Sequence, residues 1–119
     1  MKAFWNDCGE GPIYDSSVDL SQAQVNLIWS DEIRGVEGNF LGLTDDRGNT
    51  IQFYFSAGIP DEVEDASHLK IVLVDFPVKE KRGSYSKQVT IGEVLGLIAI
   101  VFDVGASHQS FNDLSFGAW

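Results

Sequence analysis

Residues 39 to 55 read NFLGLTDDRGNTIQFYF. Ile51, Phe53 and Phe55 alternate with Gln52, Tyr54 and Ser56, the period of two that puts apolar side chains on one face of a strand. FLGLT at 40 to 44 precedes them, and DDRGN between the two runs supplies a glycine-containing turn. The stretch predicts an antiparallel hairpin with one buried face. A loop over GIPDEVEDAS leads to LKIVLVDF at 69 to 76, which is apolar at Ile71, Val72, Leu73 and Val74. An unbroken apolar run of this length predicts a strand in the interior of the sheet, closed by Pro77. The sheet then has at least three strands.

Thr90 stands three residues before Glu93, the spacing at which each side chain satisfies a free backbone amide at a helix start. Ile91, Val94, Leu95, Ile98, Val101 and Phe102 fall on one helical face, and Gly105 sits at the position of a C-terminal cap. These signals predict a core helix over 91 to 103; its β-branched content leaves a buried strand as the alternative. In DLSQAQVNLIWSDEIRG, Asp19 with Gln22 offers a helix cap, and Leu20, Ala23 and Leu27 share a helical face. Val25, Leu27 and Trp29 also alternate as a strand would, so 19 to 29 is a predicted helix with a strand still open. Residues 1 to 17 predict an irregular lead-in pinned by Phe4, Trp5, Ile13 and Tyr14. The tail ASHQSFNDLSFGAW predicts either an edge strand or a segment packed back across the sheet. The order of elements describes one α+β domain over residues 1 to 119. Its mainly antiparallel sheet carries one or two helices packed on one face.

The 119 residues suit a single core, and a 44% hydrophobic content suits a folded chain. Eighteen acidic against eight basic side chains give a net charge of −10, which repels phosphate backbones and anionic membranes. This argues against direct binding of nucleic acid or membrane. Lys79, Lys81, Arg82 and Lys87 with Glu80 form a local stretch of +3, which leaves the remainder at −13. That stretch reads as a solvated turn centred on Gly83. The single cysteine, Cys8, cannot form an internal disulfide. The N-terminus lacks the apolar core of a secretion signal, and VLGLIAIVF at 94 to 102 is too short to span a bilayer. The expectation is a cytoplasmic protein.

Catalytic signatures are sparse. No nucleophile-elbow pattern surrounds a serine, and the two histidines, His68 and His108, lie in polar loop sequence. Asp75, at the end of the predicted interior strand, is the best-placed acid or base, and a turn-organising role competes with that reading. TDDRGNT and PDEVEDASH are rich in carboxylates but lack the ligand spacing and glycine placement of a calcium loop. Gly92 and Gly96 lie within the predicted helix, where they permit close packing. No cofactor, metal ligand set or catalytic residue is predicted.

The arrangement NFLGLTDDRGNTIQFYF, then KIVLVDFP, then GSYSKQVTIGEVLGLIAIVF with an aromatic tail resembles the small immunity proteins of bacterial contact-dependent inhibition and polymorphic-toxin systems. The resemblance covers residues 39 to 119 and lies in layout, without a diagnostic motif. It implies a cytoplasmic protein that neutralises a cognate toxin domain by stoichiometric binding, without catalysis. A basic nuclease toxin would suit an acidic inhibitor through electrostatic steering. On that reading Asp61, Glu62, Glu64 and Asp65, joined by Asp45 and Asp46, face lysines and arginines of the toxin, and Tyr54 anchors the contact. Three other readings stay open. They are an acidic DNA mimic that occupies a nucleic-acid-binding protein, a small ligand-binding domain or enzyme built on Asp75, and an oligomerisation module joined along a sheet edge.

Overall fold

A computed structural model describes residues 1–119. The hairpin forms as its alternation predicts: β3 (Phe40–Thr44) and β4 (Thr50–Phe55) pair from Thr44 opposite Thr50 to Phe40 opposite Tyr54. Five further strands join them, β1 (Lys2–Asn6), β2 (Val18–Asp19), β5 (Val72–Val78), β6 (Gly83–Val89) and β7 (Ser115–Ala118). The seven strands run in the order β2-β1-β3-β4-β5-β6-β7, each antiparallel to its neighbour.

One face of this sheet builds the core. Leu41, Leu43, Ile51, Phe53, Phe55, Val72, Val74 and Phe76 are buried there. They pack against Val25 and Trp29 from α1 (Gln22–Leu27) and the turn after it, and against Val94, Ile98 and Val101 of α2 (Val94–Val104). Trp29 stacks flat on Phe55, with ring centres 5.1 Å apart. Each fully buried side chain of this size contributes about 1.5–3 kcal/mol, so the shared face holds sheet and helices together. The domain is α+β with helices packed against the sheet, and no helix is long and apolar enough to cross a membrane.

Several local expectations need correction. Residues 2 to 6 are a full strand and not an irregular lead-in: all five pair with β3. Ala3 and Phe4 are both buried, on opposite faces, which erases the alternation that marks a strand in sequence. The first helix starts from Ser21 and not from Asp19. Ser21 Oγ accepts from Gln24 N at 3.2 Å and Gln24 Oε1 accepts from Ser21 N at 2.9 Å, while Asp19 is held opposite Lys2 in β2. After Leu27 the backbone widens into a π-type turn over Ile28–Glu32. Near the other helix, the Thr90–Glu93 capping box forms as read, and a 3-10 turn over Ile91–Glu93 leads into α2.

Pro77 lies inside β5 and does not close it. The ladder between β4 and β5 ends at Gln52 opposite Asp75, so at Pro77 the strand pairs only with β6 and a backbone N–H toward β4 is not needed. The basic stretch is not centred on Gly83 either. The turn is at Lys79–Lys81, Arg82 takes the left-handed conformation (φ 48°), and Gly83 is the buried first residue of β6. The ring of Phe116 lies where a Gly83 side chain would be. The tail becomes edge strand β7, with Phe111 packed against Phe76 at 5.0 Å.

Candidate protein-binding surface

The alternation that buries Ile51, Phe53 and Phe55 turns the intervening residues to the face without helices. On that face, direct cross-strand pairing lines up Asn6, Phe40, Tyr54, Leu73 and Gln88 across β1, β3, β4, β5 and β6. Phe40 and Leu73 are half-buried, and Tyr54 between them is 36% exposed. Neighbouring strands lie about 4.8 Å apart, so the three side chains form one continuous apolar strip with polar ends. The strip extends toward the β1 edge. Phe4 lies over Gly42, which has no side chain to block it, and meets Phe40 edge-on at 6.1 Å and Tyr14 at 5.3 Å.

The acidic loop sits at the same end of the sheet. It leaves β4 one residue after Tyr54 and returns at β5 next to Leu73, and Asp61, Glu62, Glu64 and Asp65 are all exposed. Its path is anchored. Ile59 N donates to Gly35 O at 2.8 Å, and the Ile59 side chain occupies the space that Gly35 leaves empty. Asp65 accepts from Ser67 N at 3.0 Å and caps the turn over Ala66–His68; the Ser67 hydrogen bonds hold its carboxyl below the ordinary range. Glu37 borders the same loop, since Gly58 lies against its backbone nitrogen.

Asp45 and Asp46 do not join this group. They lie at the other end of β4, and a six-residue strand spans about 20 Å. Asp45 is also occupied. It accepts from Arg47 N and Asn49 N, each at 2.9 Å, from Asn49 Nδ2 at 3.1 Å and from Ala106 N at 2.8 Å. Burial opposes its ionisation, and these donors outweigh burial and keep the carboxyl below the ordinary range. Asp46 is exposed and makes no such bonds.

No known protein family, curated protein or solved structure matches the chain. The site therefore stands on its own geometry.

Sequence reasoning missed Phe40, Leu73 and Glu37. Leu73 was visible as part of an unbroken apolar run, but such a run cannot tell a residue buried under a helix from one lying on an open sheet face. Also missed was the network behind the loop. Asn39, 2% exposed, accepts from Cys8 N at 2.8 Å and donates to Arg34 O at 2.9 Å and to Asp7 Oδ1 at 3.1 Å. Arg34 Nε in turn donates to Asp7 at 3.0 Å. The side-chain bond to Arg34 is the main cause that holds the Asp7 carboxyl below its usual range. This pair consumes one of the few cations at the acidic end.

Asp75 shares the open face, between Gln52 and Ser86. Burial pushes its carboxyl above the ordinary range, and a hydrogen bond with Ser84 works the other way. Neither histidine reaches it. His108 stacks on Tyr85 at 4.1 Å on the opposite face, where burial, aided by Lys81, lowers its pKa. His68 lies exposed in the turn before β5. No three His, Cys, Asp or Glu side chains are grouped to hold a metal ion.

Proposed function

We propose that this chain is a cytoplasmic immunity protein that neutralises a cognate bacterial toxin domain by stoichiometric binding. The observation that carries the reading is the Phe40–Tyr54–Leu73 strip lying beside the exposed carboxylates of Asp61, Glu62, Glu64 and Asp65. Protein interfaces place an aromatic anchor in an apolar patch and surround it with polar groups that exclude water. The acidic rim fits a basic partner, and a nuclease toxin with its nucleic-acid-binding cations has that chemistry. Asp61, Glu62, Glu64 and Asp65 steer the encounter, Tyr54 anchors it, and Asp46, in the turn beyond the far end of β4, is too distant to share the same contact.

Two features favour this over the DNA mimic and the Asp75 enzyme. A DNA mimic needs charges strung out like a phosphate backbone, whereas Asp61, Glu62, Glu64 and Asp65 lie together in one loop beside an apolar strip. An enzyme built on Asp75 needs a second catalytic group, and the imidazole stacked on Tyr85 faces away from it.

The test is to find a toxin domain encoded beside this chain and to co-express the two. Growth should be restored, and the purified proteins should form a one-to-one complex. Absence of rescue, with no complex at about micromolar concentration, overturns the proposal.

A further inference from the structure

β7 is the last strand of the sheet, and apart from its shortness its sequence, SFGA, lacks the devices that usually protect an edge. It has no charged side chain, no proline and no bulge, and all four residues are exposed. The hydrogen-bond phase follows from one contact, Trp119 N to Arg82 O at 2.8 Å. That bond makes Ala118 opposite Gly83 a non-hydrogen-bonded pair, so Ser115 and Gly117 turn their backbone groups toward β6. The N–H and C=O of Phe116 and Ala118 therefore point outward.

We propose that this edge pairs antiparallel with β7 of a second copy of the chain. The pattern of outward groups selects the register. With Gly117 of each copy on the two-fold axis, Phe116 of one protomer is opposite Ala118 of its partner, twice, and all the outward N–H and C=O groups of these residues find partners. The side chains suit that register. Gly117 meets Gly117 with nothing to clash, the large ring of Phe116 adjoins the small Ala118, and Trp119, 70% exposed, lies across from the short Ser115. Charge at this edge is mixed, because Asp113 stands two residues before β7 and its neighbour β6 follows the turn carrying Lys79, Lys81 and Arg82. Two seven-stranded sheets would merge into one continuous sheet. Tyr54 lies on β4, three strands from the joint, so pairing leaves the proposed toxin surface free, and loss of either interaction is measurable without the other.

Sedimentation equilibrium between about 10 μM and about 1 mM should show the mass rising from that of the 13.1 kDa chain toward twice that value. Amide exchange should show protection at Phe116 and Ala118 that grows with concentration, while Ser115 and Gly117 are protected throughout. Ala118→Pro removes an outward N–H that the intrachain ladder does not use. It should weaken dimerisation by at least about tenfold and leave the thermal midpoint of the dilute protein unchanged. If that variant does not fold, Ala118→Lys, which places a charge at the joint, should weaken dimerisation to a similar degree. A constant monomer mass up to about 1 mM overturns the proposal, as does a folded variant that dimerises like the parent chain.

Discussion

Asp45 and Tyr54 have different surroundings and therefore different work. Asp45 accepts four hydrogen bonds and ties the β3–β4 turn to the backbone just beyond α2. Asp45→Ala should lower stability by about 2 kcal/mol in urea denaturation, since it removes a charged acceptor and leaves the Ala106 amide without its partner. The effect has a defined pH sign. The folded-state carboxyl titrates below the unfolded value of about 3.9, so its contribution is complete above that value and disappears as pH falls through the folded-state pKa. The stability gap between parent and variant should be constant near neutrality and close in acid. Asp75 has the opposite sign, because burial raises its pKa. Stability linked to its protonation is complete below the unfolded pKa and lost as pH rises through the folded one, so Asp75→Asn should stabilise the protein at neutral pH relative to the parent and lose that advantage in acid. Tyr54, by contrast, accepts no structural task beyond its strip. Tyr54→Ala should weaken binding to the proposed toxin partner by about 2 kcal/mol, read by calorimetry, with little change in the urea midpoint.

At the scale of elements, legibility followed from how many faces of each segment are covered. β4 is covered on one face and was plain in the sequence. β1 has Ala3 under the helices and Phe4 over Gly42, so its pattern was lost. The sequence points to Asp19 with Gln22 as the cap of α1, and the structure uses Ser21 with Gln24 instead. Pairing of β2 with β1 removed the first, and no local pattern reveals that competition. In α2 the capping box and the buried stripe of Val94, Ile98 and Val101 agreed, which settled helix against strand. Ile98 is fully buried at the centre of that stripe. Ile98→Ala should cost about 3 kcal/mol through lost burial and the cavity left behind, seen as a lower urea midpoint with an unchanged slope.

At the scale of the molecule, the two ends of the sheet differ in charge. Asp61, Glu62, Glu64, Asp65 and Glu37 gather where β4 ends, while Arg47, Lys79, Lys81 and Arg82 lie in the turns at the opposite end, interleaved with Asp45, Asp46 and Glu80. Steering by the acidic end should be a matter of association rate. Neutralising the loop as Asp61→Asn, Glu62→Gln, Glu64→Gln and Asp65→Asn should slow association with the proposed toxin partner and flatten its dependence on salt, leaving dissociation nearly unchanged in stopped-flow measurements. Unchanged association kinetics would remove the loop from the encounter while leaving the Tyr54 strip to its own test. The acidic half of the candidate site was legible because charge is a property of composition. The apolar half was not, because Phe40, Tyr54 and Leu73 come from three strands and become neighbours only through cross-strand register.

Local order was determined by the sequence itself. Alternation in TIQFYF, the turn residues in DDRGN and the Thr90–Glu93 cap each act over a few residues, within reach of backbone sterics and short hydrogen bonds. Tertiary structure decided which carboxylates are free and which are consumed, which apolar residues stay open to solvent, and which strand is left at the edge. Those outcomes depend on contacts between residues far apart in the chain, such as Asp45 with Ala106 and Tyr54 with Leu73, and they arise only when the whole sheet closes its core face against both helices.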